Sequence, residues 1–141
     1  MKREWWTAVV AVVVVEFAYN FVLHDLILEP RFYAVLRGTL WRPADQALTY
    51  FPYTLAAYWS LAVAAVWMYG RSARPASPLS QGVRFGLALT GLLYLPWTLI
   101  WYATMPISST LGLIWSGSAL VEGQIVGQVV ALLVTPLPAA T

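Results

Sequence analysis

Residues 6–28 read WTAVVAVVVVEFAYNFVLHDLIL, an apolar run interrupted near its middle by Glu16 and toward its end by Asn20, His24 and Asp25. A helix needs about 20 apolar residues to cross a hydrocarbon core about 30 Å thick, so this stretch is long enough to span a membrane. Three more runs of the same kind follow at about 47–69, 81–102 and 111–134. Together they predict an all-α, polytopic membrane protein in which residues 1–141 form one transmembrane domain, a four-helix bundle. The last run also holds an acid, Glu122. A carboxylate at bilayer depth is costly and as a rule faces a partner, a cavity or a proton path.

Composition supports the same class. The chain is 60% hydrophobic and only 10% charged, whereas soluble domains are about 45–50% apolar and about 25% charged. Its net charge of +2 comes from Arg and Lys residues at the segment ends, where they set topology and do not form a nucleic-acid patch. Cysteine is absent, which excludes disulfides, thiolate catalysis and cysteine-based metal centres. Met1-Lys2-Arg3-Glu4 followed by apolar sequence is similar to a signal peptide. The run nevertheless continues past Glu16 without a small-residue cleavage site, so a retained membrane helix is expected.

The connections differ in character. Between Glu29 and Asp45, residues Phe32, Tyr33, Leu36, Leu40 and Trp41 recur at three- and four-residue spacing. This pattern suggests a short interfacial amphipathic helix between the first two spans, with a plain loop as the alternative. Arg31, Phe32, Tyr33, Arg37, Trp41 and Arg42 would then form a surface for a partner or for lipid headgroups. Gly70 to Ser80, with Arg71, Arg74, Pro75 and Pro78, reads as a polar linker, and Ala103 to Thr110 as an uncharged tight turn. Lys2, Arg3, Arg71, Arg74 and Arg84 lie on one side, against Arg31, Arg37 and Arg42 on the other. The excess predicts both termini in the cytoplasm.

Small residues mark helix contacts in lipid. Gly82 with Gly86, and Gly123 with Gly127, form small-xxx-small pairs suited to internal packing or to a second chain. Pro96 should kink the third span, because it lacks an amide donor and clashes with the preceding turn.

Glu16, Asn20 and His24 follow at four-residue spacing on one slowly rotating stripe. The stripe reads either as an interhelical hydrogen-bond ladder or as a proton or cation path, ending in a histidine that titrates near neutral pH. Glu122 has Ser118 one turn before it, while Gln124 and Gln128 lie on another face. No Lys or Arg lies deep in any span, so each acid is expected as a neutral, hydrogen-bonded carboxyl rather than half of an ion pair. If the first and fourth helices are neighbours, the two acids could share a proton. A single histidine argues against a metal site, and no cofactor is expected beyond the weak option of haem or quinone at His24. Phosphate loops, Ser/His/Asp sets and HExxH patterns are absent, so the expectation is a non-enzymatic protein.

The segments Asn20-Phe21-Val22-Leu23-His24, Leu40-Trp41-Arg42-Pro43, Gly82-Val83-Arg84-Phe85-Gly86, Met105-Pro106 and Leu120-Val121-Glu122-Gly123 occur in a familiar order. In this the chain resembles a family of small four-helix bacterial integral membrane proteins with no assigned activity. The resemblance implies a bacterial inner-membrane location and a one-domain bundle, but no reaction or ligand. The leading functional expectation is an accessory or scaffold subunit of a larger membrane assembly, plausibly an energy-converting one, whose partners are lipids and other membrane subunits or further copies of itself. The alternative is a small homo-oligomeric proton- or cation-coupled transporter or channel using Glu16, Asn20, His24 and Glu122.

Overall fold

The computed structural model describes residues 3–37, 39–40, 42–72 and 77–134. Four helices long and apolar enough to cross a membrane account for most of them: α1 (Arg3–Tyr33), α2 (Ala47–Ser72), α3 (Pro78–Thr104) and α4 (Ser109–Leu133). Each matches one apolar run and overshoots at least one end of it, by most in α1. Ser77 and Ser108 cap α3 and α4, accepting hydrogen bonds from the Ser80 and Leu111 amides. Such caps satisfy amide donors that a helix start leaves open. Lys2, Arg74, Pro75 and Trp41 lie outside the described residues.

Two helices change winding partway along. α1 is α-helical to Asn20 and π-helical over Phe21–Tyr33, and α3 has a π turn at Thr90–Tyr94 between two α-helical halves. A proline bears on each. Pro30 and Pro96 lack an amide hydrogen, and their rings would strike the carbonyl four residues earlier, at Leu26 and Leu92. Both of those carbonyls belong to wide π turns. The irregularity expected at Pro96 therefore takes the form of a widened turn just before it.

The expected interfacial helix is not formed as a separate element. Arg31, Phe32 and Tyr33 close α1 instead, residues 34–36, 39 and 40 make successive turns, and Ala44–Gln46 is one 3-10 turn. Pro30 fails to end α1 because the π winding accommodates it. The apolar residues beyond it are thereby carried back onto the bundle, and Tyr33 is buried.

Packing is uneven along the bundle. The first half of α3 lies closest to α4, α1 packs on both α2 and α4, and α2 rests mainly on α1. In the half nearest Arg3 and Leu133 the core is dry: Val9 and Val12 meet Ala62, Ala65, Val66 and Tyr69, with Phe85, Leu89, Val126 and Val130 closing it. Apolar side chains such as Val14, Leu92, Leu99, Leu113 and Leu132 point outward, as lipid-facing residues do.

Glycine sets the α3–α4 separation. A Cβ on Gly86 would lie 2.6 Å from the Gly123 carbonyl oxygen, and one on Gly127 2.6 Å from the Gly86 nitrogen. Gly82 makes room for the Gln128 side chain, and Gly86 for Gln124. The two amides donate to the Leu79 and Val83 carbonyls, at 3.2 and 3.4 Å. Both small-xxx-small pairs are thus used inside the chain. Backbones this close collect van der Waals contact that side chains would prevent.

Gly127→Val should therefore destabilise the bundle by about 1–3 kcal/mol through overpacking. Gly117→Ala, where an added Cβ meets nothing within 4 Å, should leave it unchanged or slightly more stable. Thermal unfolding in detergent, followed by circular dichroism, measures the contrast.

Candidate functional site

The packing that closes one half of the bundle leaves the other half open. Beyond the dry core, residues of all four helices surround a cavity of about 620 Å³. α1 contributes Asn20, His24, Asp25 and Glu29, and α2 contributes Thr54 and Leu61. α3 supplies Tyr94, Trp97 and Trp101, and α4 supplies Trp115, Ser118 and Glu122. A smaller recess on the other side of Asn20 and His24, bounded by Phe17, Phe51 and Tyr58, also reaches Asp25.

Winding explains how α1 lines so much of it. In an α-helix the spacing from His24 to Glu29 would carry the second residue off the stripe. The wider π turn brings residues four and five apart into line, so Asn20, His24, Glu29 and Tyr33 all border the cavity. The stripe read from the sequence is therefore longer and straighter than an α-helical period allows.

At the floor the two acids meet. Glu16 is 1% exposed, and its carboxyl lies beside that of Glu122. Carboxylate oxygens are acceptors only, so two adjacent carboxyls repel each other unless one of them carries a proton. Other donors complete the arrangement. The Tyr94 hydroxyl donates to Glu16. The Asn20 amide donates to Glu122 at 2.6 Å and to the Glu16 carbonyl at 3.0 Å. Tyr58 of α2 lies near both acids, and Tyr19 donates to the Ser118 carbonyl at 3.1 Å. Among the described residues the sole ion pair is Glu29–Arg37, at the mouth, so no basic side chain neutralises the floor.

A second network holds one wall. The Trp115 indole donates to the Tyr33 hydroxyl at 2.7 Å, and that hydroxyl lies 2.6 Å from Nδ1 of His24. Indole is a donor only, so the Tyr33 hydroxyl accepts from Trp115 and bridges it to the His24 ring. The rings form a continuous series: Trp97–Trp101 at 5.8 Å between centroids, Trp101–Trp115 at 5.7 Å, Tyr33–Trp115 at 6.3 Å and His24–Tyr33 at 5.7 Å.

The sequence-derived residues fall into three groups. Glu16, Asn20 and Glu122 come together at the floor, and His24 stands on the wall above them. The surface expected from Arg31, Phe32, Tyr33, Arg37 and Arg42 is not one surface. Tyr33 is buried, Phe32 packs beside it, Arg37 pairs with Glu29, Arg42 covers the Tyr50 ring at 3.6 Å, and Arg31 is exposed. The inward turn of Tyr33 has the same origin as the missing interfacial helix. Gly82, Gly86, Gly123 and Gly127 lie at the α3–α4 contact, away from the cavity.

Tyr94 and Trp115 carry the site and were not singled out from sequence, and Tyr33, which joins them there, was expected on the interfacial surface instead. For Tyr94 the available signal is its mid-span position, where interface anchoring does not account for a hydroxyl. Trp115 has no local signal, because its partner Tyr33 lies 82 residues away in the chain. Among the described residues no group of three His, Asp or Glu side chains is arranged to hold a metal. No family profile, curated protein sequence or solved structure matches the chain.

The infrared spectrum at neutral pH should contain a protonated-carboxyl stretch that shifts in deuterium oxide. Glu16→Gln and Glu122→Gln should each remove it, because the new amide donates where the acid proton stood. A band unchanged in both variants would place the proton elsewhere.

Proposed function

We propose that this chain is a non-enzymatic, proton- or cation-coupled membrane transporter, with Glu16 and Glu122 as its coupling pair. One observation carries the reading: an aromatic-walled cavity reaches from one end of the bundle to the adjacent acids Glu16 and Glu122 and stops against a dry core. A path closed at one end, with exchangeable protons at the closure, is what a carrier presents in one of its two states. Intramembrane acids with no fixed counter-charge are characteristic of proton relays and ion pathways.

With the termini in the cytoplasm of a bacterial cell, the cavity opens to the outside and the dry core faces inward. Transport then requires the Val9–Val12 and Val126–Val130 region to part. The Gly-lined α3–α4 contact would move as a unit, with α2, less extensively packed, as the element most free to shift.

The other reading, an accessory or scaffold subunit of a larger assembly, drew on the glycine faces and on the arginine-rich surface after the first span. Those glycines are occupied within the chain, and Tyr33 is turned inward. What remains in its favour is the small extramembrane mass.

Reconstitution into liposomes tests the choice. An imposed pH gradient or membrane potential should drive proton-linked flux. Glu16→Gln and Glu122→Gln should each abolish it while the purified proteins keep wild-type helicity and dispersity. Equal flux in wild type and both variants would defeat the mechanism, and co-purification only with other subunits, without flux, would favour the accessory role.

A further inference from the structure

The cavity has a composition suited to one chemical class of ligand. The geometry points to a monovalent, amphiphilic organic cation (an arylammonium or arylphosphonium type) seated with its charge beside Glu122 and its apolar body against Trp97, Trp101 and Trp115. This rests on the transporter reading and names its substrate class.

Three observations converge. The first is charge: Asp25, Glu29 and Glu122 border the cavity against Arg37, which is committed to Glu29, and His24, which is hydrogen-bonded to Tyr33. An anion would meet acids with no free counter-charge, while a cation meets Glu122 in surroundings where Coulomb attraction is poorly screened. The second is the aromatic wall. The faces of Trp and Tyr attract cations through their quadrupoles, most strongly where water is excluded. Trp97, on the cavity wall, is 59% exposed and is therefore free to meet a ligand arriving from the membrane side.

The third is size. About 620 Å³ falls within the range of about 300–1,000 Å³ that holds drug-sized ligands, and far exceeds what a bare metal ion fills. Hard cations also need several converging oxygen ligands, and this cavity is walled largely by rings. A neutral lipid tail would fit the apolar wall but gives no reason for an acid pair at the floor.

Occupation also explains coupling. Glu122 is faced by Glu16, Asn20 and Tyr19 from α1, by Tyr58 from α2 and by Tyr94 from α3. None of these is a base. A cation at Glu122 takes over the neutralising role of the shared proton, which leaves to water. One cation enters as one proton is released, so binding weakens as pH falls.

Tetraphenylphosphonium and tetraphenylborate, alike in shape and opposite in charge, are suitable probes. Equilibrium dialysis of the detergent-purified chain should show saturable binding of one phosphonium per chain, with no competition from the borate and with proton release in weakly buffered solution. Glu122→Gln should weaken binding by about tenfold or more and stop the proton release, as loss of a poorly screened charge pair requires. Trp97→Ala should weaken binding by about tenfold through loss of the cation–π contact. Because Trp97 is exposed, this variant keeps the fold and provides the test even if Glu122→Gln is unstable. Equal binding of both probes, unsaturable partitioning, or affinity unchanged in Trp97→Ala would overturn the assignment. Proton-linked liposome flux without phosphonium binding would overturn this site and leave the transporter reading standing. Phosphonium binding without any flux would support the site and remove the transporter reading.

Discussion

The close approach of α3 and α4 at Gly82, Gly86, Gly123 and Gly127 is the constraint on which the rest of the bundle depends. In lipid no hydrophobic force separates a helix from its surroundings, so association depends on how closely backbones can pack. Here Cβ atoms would collide with the facing backbone, and their absence lets the first half of α3 lie along α4. The Thr90 hydroxyl, donating to the Gly86 and Ala119 carbonyls, extends the contact to the point where α3 changes winding. Past that point the helices no longer share the glycine seam, and the cavity begins.

The two halves of the molecule therefore have opposite characters for connected reasons. On one side alanines and valines, with Tyr69, Phe85 and Leu89, fill the space between four helices. On the other, π turns in α1 and α3 swing Asn20, His24, Glu29 and Tyr94 inward and leave room between them. A buried polar group needs partners, and those at the floor satisfy one another: the Asn20 amide bonds the Glu122 carboxyl and the Tyr94 phenol that of Glu16. The aromatic wall is anchored the same way, with Tyr33 joining His24 to Trp115. Wide π turns are rare and concentrate at functional sites, and both of these border the same cavity.

Much of this was legible in the chain. Span number and approximate limits follow from run length, because bilayer thickness is a fixed ruler. Glu16 and Glu122 stood out because acids inside such runs are rare, and the lack of a deep Lys or Arg already excluded an ion pair. The interfacial helix failed for a physical reason: α1 continues through Pro30 to Tyr33, because π winding tolerates a residue without an amide donor. The same winding put Glu29 and Tyr33 on the stripe, where an α-helical period would place them elsewhere. Tyr94 escaped notice because nothing local connects it to Glu16, 78 residues away.

By itself the sequence determined four helices long and apolar enough to cross a membrane and the two acids that must be satisfied within them, since each depends on the transfer cost of individual residues. Only the tertiary structure decided that those acids meet, that the glycines bind helix to helix within one chain, and that aromatic rings from α1, α3 and α4 line a cavity beside the acids. Those outcomes depend on which helix faces border each other and on a change of helical winding. Both are properties of packed backbones that no residue carries alone.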